Sequence, residues 1–419
     1  MVYILKNAWA LLLGMMLLMV GNGLQGTLLG LRGAVEGFSP TTMSYIMSGY
    51  FLGFLGGSYM APELIRRVGH VRVFAALGSL ISAAFILYAA LPNPIVWTLM
   101  RVIVGFCFAG VYVVAESWLN DAATNETRGK ALSAYVIVQM VGIVSAQVLL
   151  NFADVNGYTL FVLMSVLVSV SFLPILLSST TAPVFRASKR MTLKELYIIS
   201  PLGCVGIFLL GGIFAALFGM AAVYGTEVGM SVRELSTFIG LIYFGGMICQ
   251  YPIGWISDKM DRRRLIMILT ASGGIIVLFG SQFAENQFVL YILAFTIGGV
   301  ANPLYSLIIA YTNDYLEPDD MASASGGLIF INGIGAIGMP IVVGWSMTRF
   351  GPNSFFVILA ILMSAIAGYA AYRTTKRAPT PVEETSAYAT VLPQASPIAV
   401  EVAQEVAIEM ALEEEEADG

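Results

Sequence analysis

Charge is what this chain lacks. Only 11% of its 419 residues are Asp, Glu, Lys or Arg, while 58% are apolar. Soluble domains carry about 25% charged residues, and a soluble chain of this length would split into several cores. So few charges cannot solvate that much surface. Histidine is nearly absent: His70, placed in a loop between apolar runs, stands alone and excludes a bis-histidine haem or a histidine-rich metal centre. The three cysteines, Cys107, Cys204 and Cys249, fall in apolar runs without CxxC spacing, so buried free thiols are expected instead of disulfides or a redox pair. There is no G-x-x-x-x-G-K-[ST] loop to hold ATP and no TVGYG filter to select K+. No enzyme activity, cofactor, metal or nucleic-acid partner is expected.

Long uncharged stretches take the place of charge. Eleven runs contain no Asp, Glu, Lys or Arg: 7–31, 37–62, 73–100, 131–153, 155–185, 196–226, 235–257, 265–284, 286–313, 321–348 and 350–372. A bilayer crossing takes roughly 20 such residues as a helix. A twelfth run, 102–115, reaches that length only if Arg101 lies inside a membrane helix, and the hinge Leu91-Pro92-Asn93-Pro94 separates it from the run before. The expected class is an all-α integral membrane protein with twelve transmembrane helices. A β-barrel would show strands of about 10 alternating residues instead. The first run is too long for the 7–15-residue core of a signal peptide and reads as the first span.

Seventeen of the 21 Lys and Arg residues fall on one side of these spans, the side that also holds both termini. By the positive-inside rule that side is the cytoplasm. The net charge of −5 reports the tail, because residues 378–419 hold ten acids and no base. The stretch 378–396, rich in Ala, Thr, Pro and Ser, reads as a linker. In 397–416, Glu401, Glu405, Glu409 and Glu413 recur every four residues, a spacing of like charges that disfavours an isolated helix. The tail is therefore expected to be disordered, with an amphipathic helix on a partner as the other reading.

The longest inner connection, 180–198, divides the chain into a six-helix bundle 1–179, a cytoplasmic linker 180–198, a second six-helix bundle 199–373 and the acidic tail 374–419. The halves repeat. Gly53 matches Gly245 at an offset of 192, and Gly105, Tyr112 and Asn120-Asp121 match Gly298, Tyr305 and Asn313-Asp314 at an offset of 193. Two such halves related by an axis along the membrane normal form a known transporter architecture.

Motifs then carry a resemblance. Gly254-Trp-Ile-Ser-Asp258-Lys259-Met-Asp261-Arg262-Arg263-Arg264 resembles the signature G-x-x-x-D-R/K-x-G-R/K-R/K of the major facilitator superfamily, with Asp261 where glycine is usual. The matching first-half loop has Pro62 and Arg66 in place of the glycine and aspartate but keeps Arg67 and Gly69. Arg101-Val-Ile-Val-Gly105 is similar to the superfamily's R-x-x-x-G element. The stretch 101–147, together with Gln250-Tyr-Pro-Ile-Gly-Trp-Ile-Ser-Asp-Lys and Pro303-Leu-Tyr-Ser, resembles the YcaD-type branch of bacterial members. The antiporter signature G-x-x-x-G-P-x-x-G-G is absent from the fifth span. The resemblance implies a two-bundle fold whose spans 1, 4, 7 and 10 line a pathway.

Arg101 is the foremost candidate, since a charge at the bilayer centre costs about 2.5–3.5 kcal/mol on insertion scales. At 100° per residue, Arg101, Gly105, Phe108, Tyr112 and Glu116 share one stripe of the fourth span. Arg101 would bind an anionic group or couple to a proton; a fixed interhelical pair is the other reading. Glu116, the one acid inside a predicted span, is either a proton site or a gate residue paired with Arg128 or Arg66. Asn22 with Gln25, Tyr135 with Gln139, Asn302 with Tyr305, and Gln250 and Asn332 would complete a polar cavity for a mostly uncharged cargo with at most one anionic group. Each also reads as an interhelical hydrogen bond. Asp258, Lys259, Arg262, Arg128 and Arg67 read as a cytoplasmic gate holding the halves together. Gly333, Gly335, Gly338, Pro340 and Gly344 stripe the eleventh span as packing and kink residues. The expected function is secondary transport of a small organic solute by alternating access, coupled to H+, by a monomer in the bilayer. Export of amphipathic drugs or metabolites is the runner-up, and a non-transporting sensor or scaffold is the rival class.

Overall fold

A computed structural model describes residues 2–123, 125–177 and 191–377 and, in the tail, 381, 385, 388–396, 398–400, 402, 403 and 406. The expected linker 180–198 lies outside the described residues up to 190, as do the tail glutamates at 401, 405, 409 and 413.

Among the described residues the chain makes twelve helical passages. They are α1 (Val2–Val35), α2 (Pro40–Val68), α3 (His70–Ala90), α4 (Pro94–Ala122), α5 (Asn125–Leu149) and α6 (Thr159–Ser171), the last continued by α7 (Leu173–Leu176). A short α8 (Leu193–Ile199) leads into α9 (Pro201–Ala215), which passes through a π-helical turn at 216–220 into α10 (Ala221–Glu227). Then come α11 (Val232–Ser257), α12 (Arg262–Gly280), α13 (Gln287–Asn313), α14 (Pro318–Phe350) and α15 (Ser354–Thr374). Eleven of the passages are long and apolar enough to cross a membrane; α2, 29 residues long, is the more polar twelfth and packs along α4. This is an all-α membrane fold of two six-helix halves. Outward faces carry exposed side chains such as Ile95, Tyr251 and Phe288, as a lipid-facing surface requires.

Local chemistry sets the helix ends. Ser39 caps α2 by accepting from Thr42 N at 3.2 Å with Pro40 in the first turn, and Asn93 caps α4 at the expected Pro hinge. Ser231 and Glu234 form a reciprocal capping box on α11. Asp261, where the signature has glycine, caps α12 by accepting from Arg263 N at 2.9 Å. His70 is not in a loop as expected: it opens α3 and is buried. Cys107 and Cys204 are buried thiols, whereas Cys249 is only half-buried.

The repeat is built into the packing. A methyl group on Gly53 would overlap the Val102 carbonyl, and one on Gly105 the Tyr50 carbonyl, so α2 and α4 cross backbone to backbone. Gly245 and Gly298 make the same crossing of α11 and α13 against the Phe295 and Ile242 carbonyls. In α14, Gly335 and Gly344 likewise abut the backbone of Phe208 and Pro40, while Gly338 meets nothing within 4 Å.

The two halves meet at the end opposite the basic loops. Thr41 and Thr348 share a hydrogen bond at 2.9 Å between α2 and α14, and Ser48 donates to the Ile337 carbonyl. Asn151 donates to Ser236 at 3.0 Å, joining the end of α5 to the start of α11. At the basic end the tail lies between the halves. Its residues Val391, Leu392, Ala395, Ala399 and Val400 are buried, and 398–400 are helical. The solvated tail expected from composition is therefore not what 388–396 and 398–400 form: a short apolar stretch inside an acid-rich segment is enough to fill a cleft.

Candidate transport cavity

A central cavity of about 120 Å³ lies between the halves. Its lining comes from α1, α2, α4 and α5 of the first half and from α9 to α11 and α14 of the second, with Pro393 and Gln394 of the tail. Arg101 is the one charged side chain among the described lining residues. It is 3% exposed, its guanidinium carbon sits 4.7 Å from the centre of the Tyr50 ring, and its Nε has no hydrogen-bond partner among the described residues. No carboxylate pairs with it among the described residues; its contact with Tyr50 of α2 is an interhelical cation–π pair. A cation over an aromatic face is partly compensated; a desolvated charge without a counter-ion is not.

Rings form the walls. Phe214, Phe218 and Tyr243 stack face to face, with successive centroids 5.5 and 5.4 Å apart and planes within 6°. Across from them Tyr50 stacks on Phe54 at 6.1 Å, and Phe54 meets Tyr112 at 6.1 Å. The π turn between α9 and α10 carries Leu217 and Phe218 into this wall, a frequent use of such turns.

The sequence-expected polar set divides. Arg101, Tyr112, Asn22 and Asn332 line the cavity. Asn22 donates to Tyr112 Oη at 3.4 Å, and Asn332 Nδ2 to the Ile207 carbonyl at 3.2 Å. The other members turn away from it. Gln25 donates to Tyr88 Oη at 3.1 Å, and Asn302 donates back to Gly298 O at 3.1 Å. Tyr305 packs edge-on to Phe214 with its hydroxyl unpartnered among the described residues. Gln139 borders a small void beside tail residues, and Gln250 donates to Ser306 at 3.1 Å and to Tyr388 Oη at 2.8 Å. On α4 itself, Gly105 serves the α2 crossing and Phe108 packs between Tyr50 and Tyr112.

Glu116 lies beyond the cavity toward the basic end. It is 3% exposed, accepting from Tyr135 Oη at 3.1 Å and from the backbone N–H of Ser396 at 2.8 Å. Arg66 is not its partner, since Arg66 and Arg67 both pair with Glu63, at 2.8 and 2.6 Å. Arg128 borders the same small void as Glu116.

The expected gate is a node within the second half. Arg262 is buried, reaching Ser257 Oγ at 3.1 Å, the Ala310 carbonyl at 3.3 Å, Asp258 at 3.2 Å and Asp314 in a buried ion pair. Among the described residues Asp258 does not reach the first half: its partners there are Arg262 and the N–H of Tyr388 at 2.9 Å. Lys259 lies over the Trp255 ring at 3.9 Å. Tyr50, Phe54, Phe214, Phe218 and Tyr243 escaped sequence reasoning, because an aromatic in an apolar run faces lipid, core or cavity with the same signal.

Two helical bundles enclose a cavity that holds a buried arginine. The chain belongs to the Major Facilitator Superfamily, whose family pattern it matches over residues 11–223 and again over 202–406. It is 25% identical over 356 residues to the uncharacterized MFS-type transporter YcaD of Escherichia fergusonii, covering 84% of this chain and 91% of that one. The YcaD protein of Salmonella arizonae is 24% identical over 354 residues, with the same coverage. Among solved structures, the nucleoside transporter NupG superposes with a TM-score of 0.70 at 14% identity, over 89% of this chain and 99% of that one. A bacterial homolog of the human lysosomal transporter Spinster, in an inward-facing and unoccupied conformation, gives 0.66 at 13% identity over 96% and 98%. The fold is shared at that level, and the protein is a multi-pass membrane transporter.

Proposed function

We propose that this protein moves a small organic solute across a bacterial inner membrane by alternating access, with both termini in the cytoplasm and with proton coupling through Glu116. The single observation that carries this reading is Arg101: buried, without a carboxylate among the described residues, and set in a cavity between two halves walled by aromatic rings. A charge held in that state is retained for something that comes and goes. The cargo it fits is flat, aromatic and carries one negative charge, so that stacking meets the rings and the anion meets the guanidinium. Joining of the halves at one end and the tail-filled cleft at the other support a cavity that opens to one side at a time. Glu116, about 22 Å along α4 from Arg101 at 1.5 Å per residue, is a buried carboxylate that accepts a hydrogen bond from Tyr135 toward the basic end.

The test is a thermal-shift screen of the purified protein against aromatic acids, their amides and their saturated analogues, followed by uptake of the best ligand into proteoliposomes. An aromatic acid raises the melting temperature of the wild type and leaves Arg101→Gln unmoved. Uptake falls about 100-fold or more in Arg101→Ala, while Glu116→Gln loses accumulation driven by a pH gradient but keeps solute exchange. Uptake unchanged in both variants removes the assigned roles.

A further inference from the structure

The cleft at the basic end already holds a ligand, and it is the chain's own tail. Three backbone N–H groups of that segment are used. Tyr388 N donates to Asp258 at 2.9 Å, Val391 N to Ser306 Oγ at 2.9 Å, and Ser396 N to Glu116 at 2.8 Å. Ser306 Oγ returns a bond to the Val391 carbonyl at 3.0 Å, as one strand does to another. The Tyr388 ring lies where a side chain on Gly254 would stand, and its hydroxyl bonds Gln250 and the Pro303 carbonyl. Asp258, Ser306 and Gln250 belong to the second half and Glu116 to the first, so the segment crosses the gap. Where it crosses, Pro393 and Gln394 form part of the wall of the Arg101 cavity.

We propose that residues 388–396 are an intramolecular plug. They form a peptide ligand of the cleft between the halves, which must leave before a solute can move between the Arg101 cavity and the basic end. The acceptors it uses explain why a segment of such plain composition binds. Two are carboxylates, and charge-assisted bonds from backbone N–H groups are the strong kind. They read an extended backbone, while the buried Val391, Leu392 and Ala395 supply apolar fill. Because the tail takes up one donor-hungry carboxylate in each half, it also holds the halves at a fixed spacing. Release frees Glu116 and Asp258 together.

The experiment reads access and needs no cargo, so its outcome is separable from that of the transport reading. In a background with Cys107, Cys204 and Cys249 replaced, a single cysteine is placed at Ser58, on the cavity wall beside Gln394. Its reaction with fluorescein maleimide is timed in the purified full chain, in a chain ending at residue 387, and in the full chain carrying Val391→Pro with Ser396→Pro. The proline pair removes two of the three N–H donors and lies outside all twelve helical passages. Labelling is expected to accelerate about tenfold or more in both altered chains. A cysteine at Val391 in the full chain is expected to react at the same slow rate as the one at Ser58, both being set by release of the tail. Equal Ser58→Cys rates in all three chains overturn the plug. So does a Val391→Cys that stays inert while Ser58→Cys reacts, since the tail would then be a permanent strap beside an open path.

Discussion

The same place in the two halves is held by different chemistry. Arg262 opens α12 and His70 opens α3, 192 positions apart, and both are 2% exposed. Each reaches the next helix of its own half at an equivalent point: Arg262 bonds the carbonyl of Ala310 on α13, and His70 shares a 3.0 Å hydrogen bond with Ser117 on α4. Positions 117 and 310 are themselves 193 apart, the offset of the repeat. The second half adds carboxylates at Asp258 and Asp314, which makes the node an ion cluster. In the first half Asp121, the counterpart of Asp314, has its side chain outside the described residues, and the loop arginines lie on the surface with Glu63. The signature is kept at all but the position of Asp261 where it builds a buried cluster, and is degenerate where its charges face water. The lone histidine, set aside by sequence reasoning as a loop residue, marks where the first half kept the position and changed the chemistry.

Substitutions can break that contrast. Arg262→Ala has the largest expected effect, because it strands Asp314, whose side chain is 3% exposed, as a buried carboxylate without this partner. Removing one member of such a pair costs about 3–5 kcal/mol, visible as a clear drop in the melting temperature of the detergent-solubilised protein. His70→Ala removes one largely buried hydrogen bond and costs about 1 kcal/mol by the same measurement. Glu63→Gln breaks two exposed pairs and leaves the melting temperature where it was. If Glu63→Gln costs as much as Arg262→Ala, the difference between buried and exposed loops is not what separates the halves.

The fold was legible because hydropathy and small-residue pairs act locally. Uncharged runs of bilayer length mark spans wherever they occur, and Gly53, Gly105, Gly245 and Gly298 reveal both crossings through the repeat alone. The cavity was half legible. Arg101 declared itself by cost, since a charged side chain at that depth is expensive. The amides did not sort themselves, because Gln25 and Asn302 satisfy a neighbouring helix with the same groups that Asn22 and Asn332 present beside the cavity. The aromatic wall was invisible: Tyr50 and Phe54 differ in sequence by nothing from the exposed Tyr45 and Tyr59 of the same helix. The tail was misread because its glutamates dominate its average, while its burial rests on the few apolar residues between 391 and 400.

The order of synthesis gives that tail another consequence. A chain emerges N-terminal end first, so residues 388–396 leave the ribosome after the twelve passages of the described residues have been made. Glu116 and Asp258 are therefore synthesised before the backbone N–H groups of Ser396 and Tyr388 that they accept from. On the plug proposal, seating of 388–396 follows the insertion of the helices that it bridges, which makes it a late step of assembly.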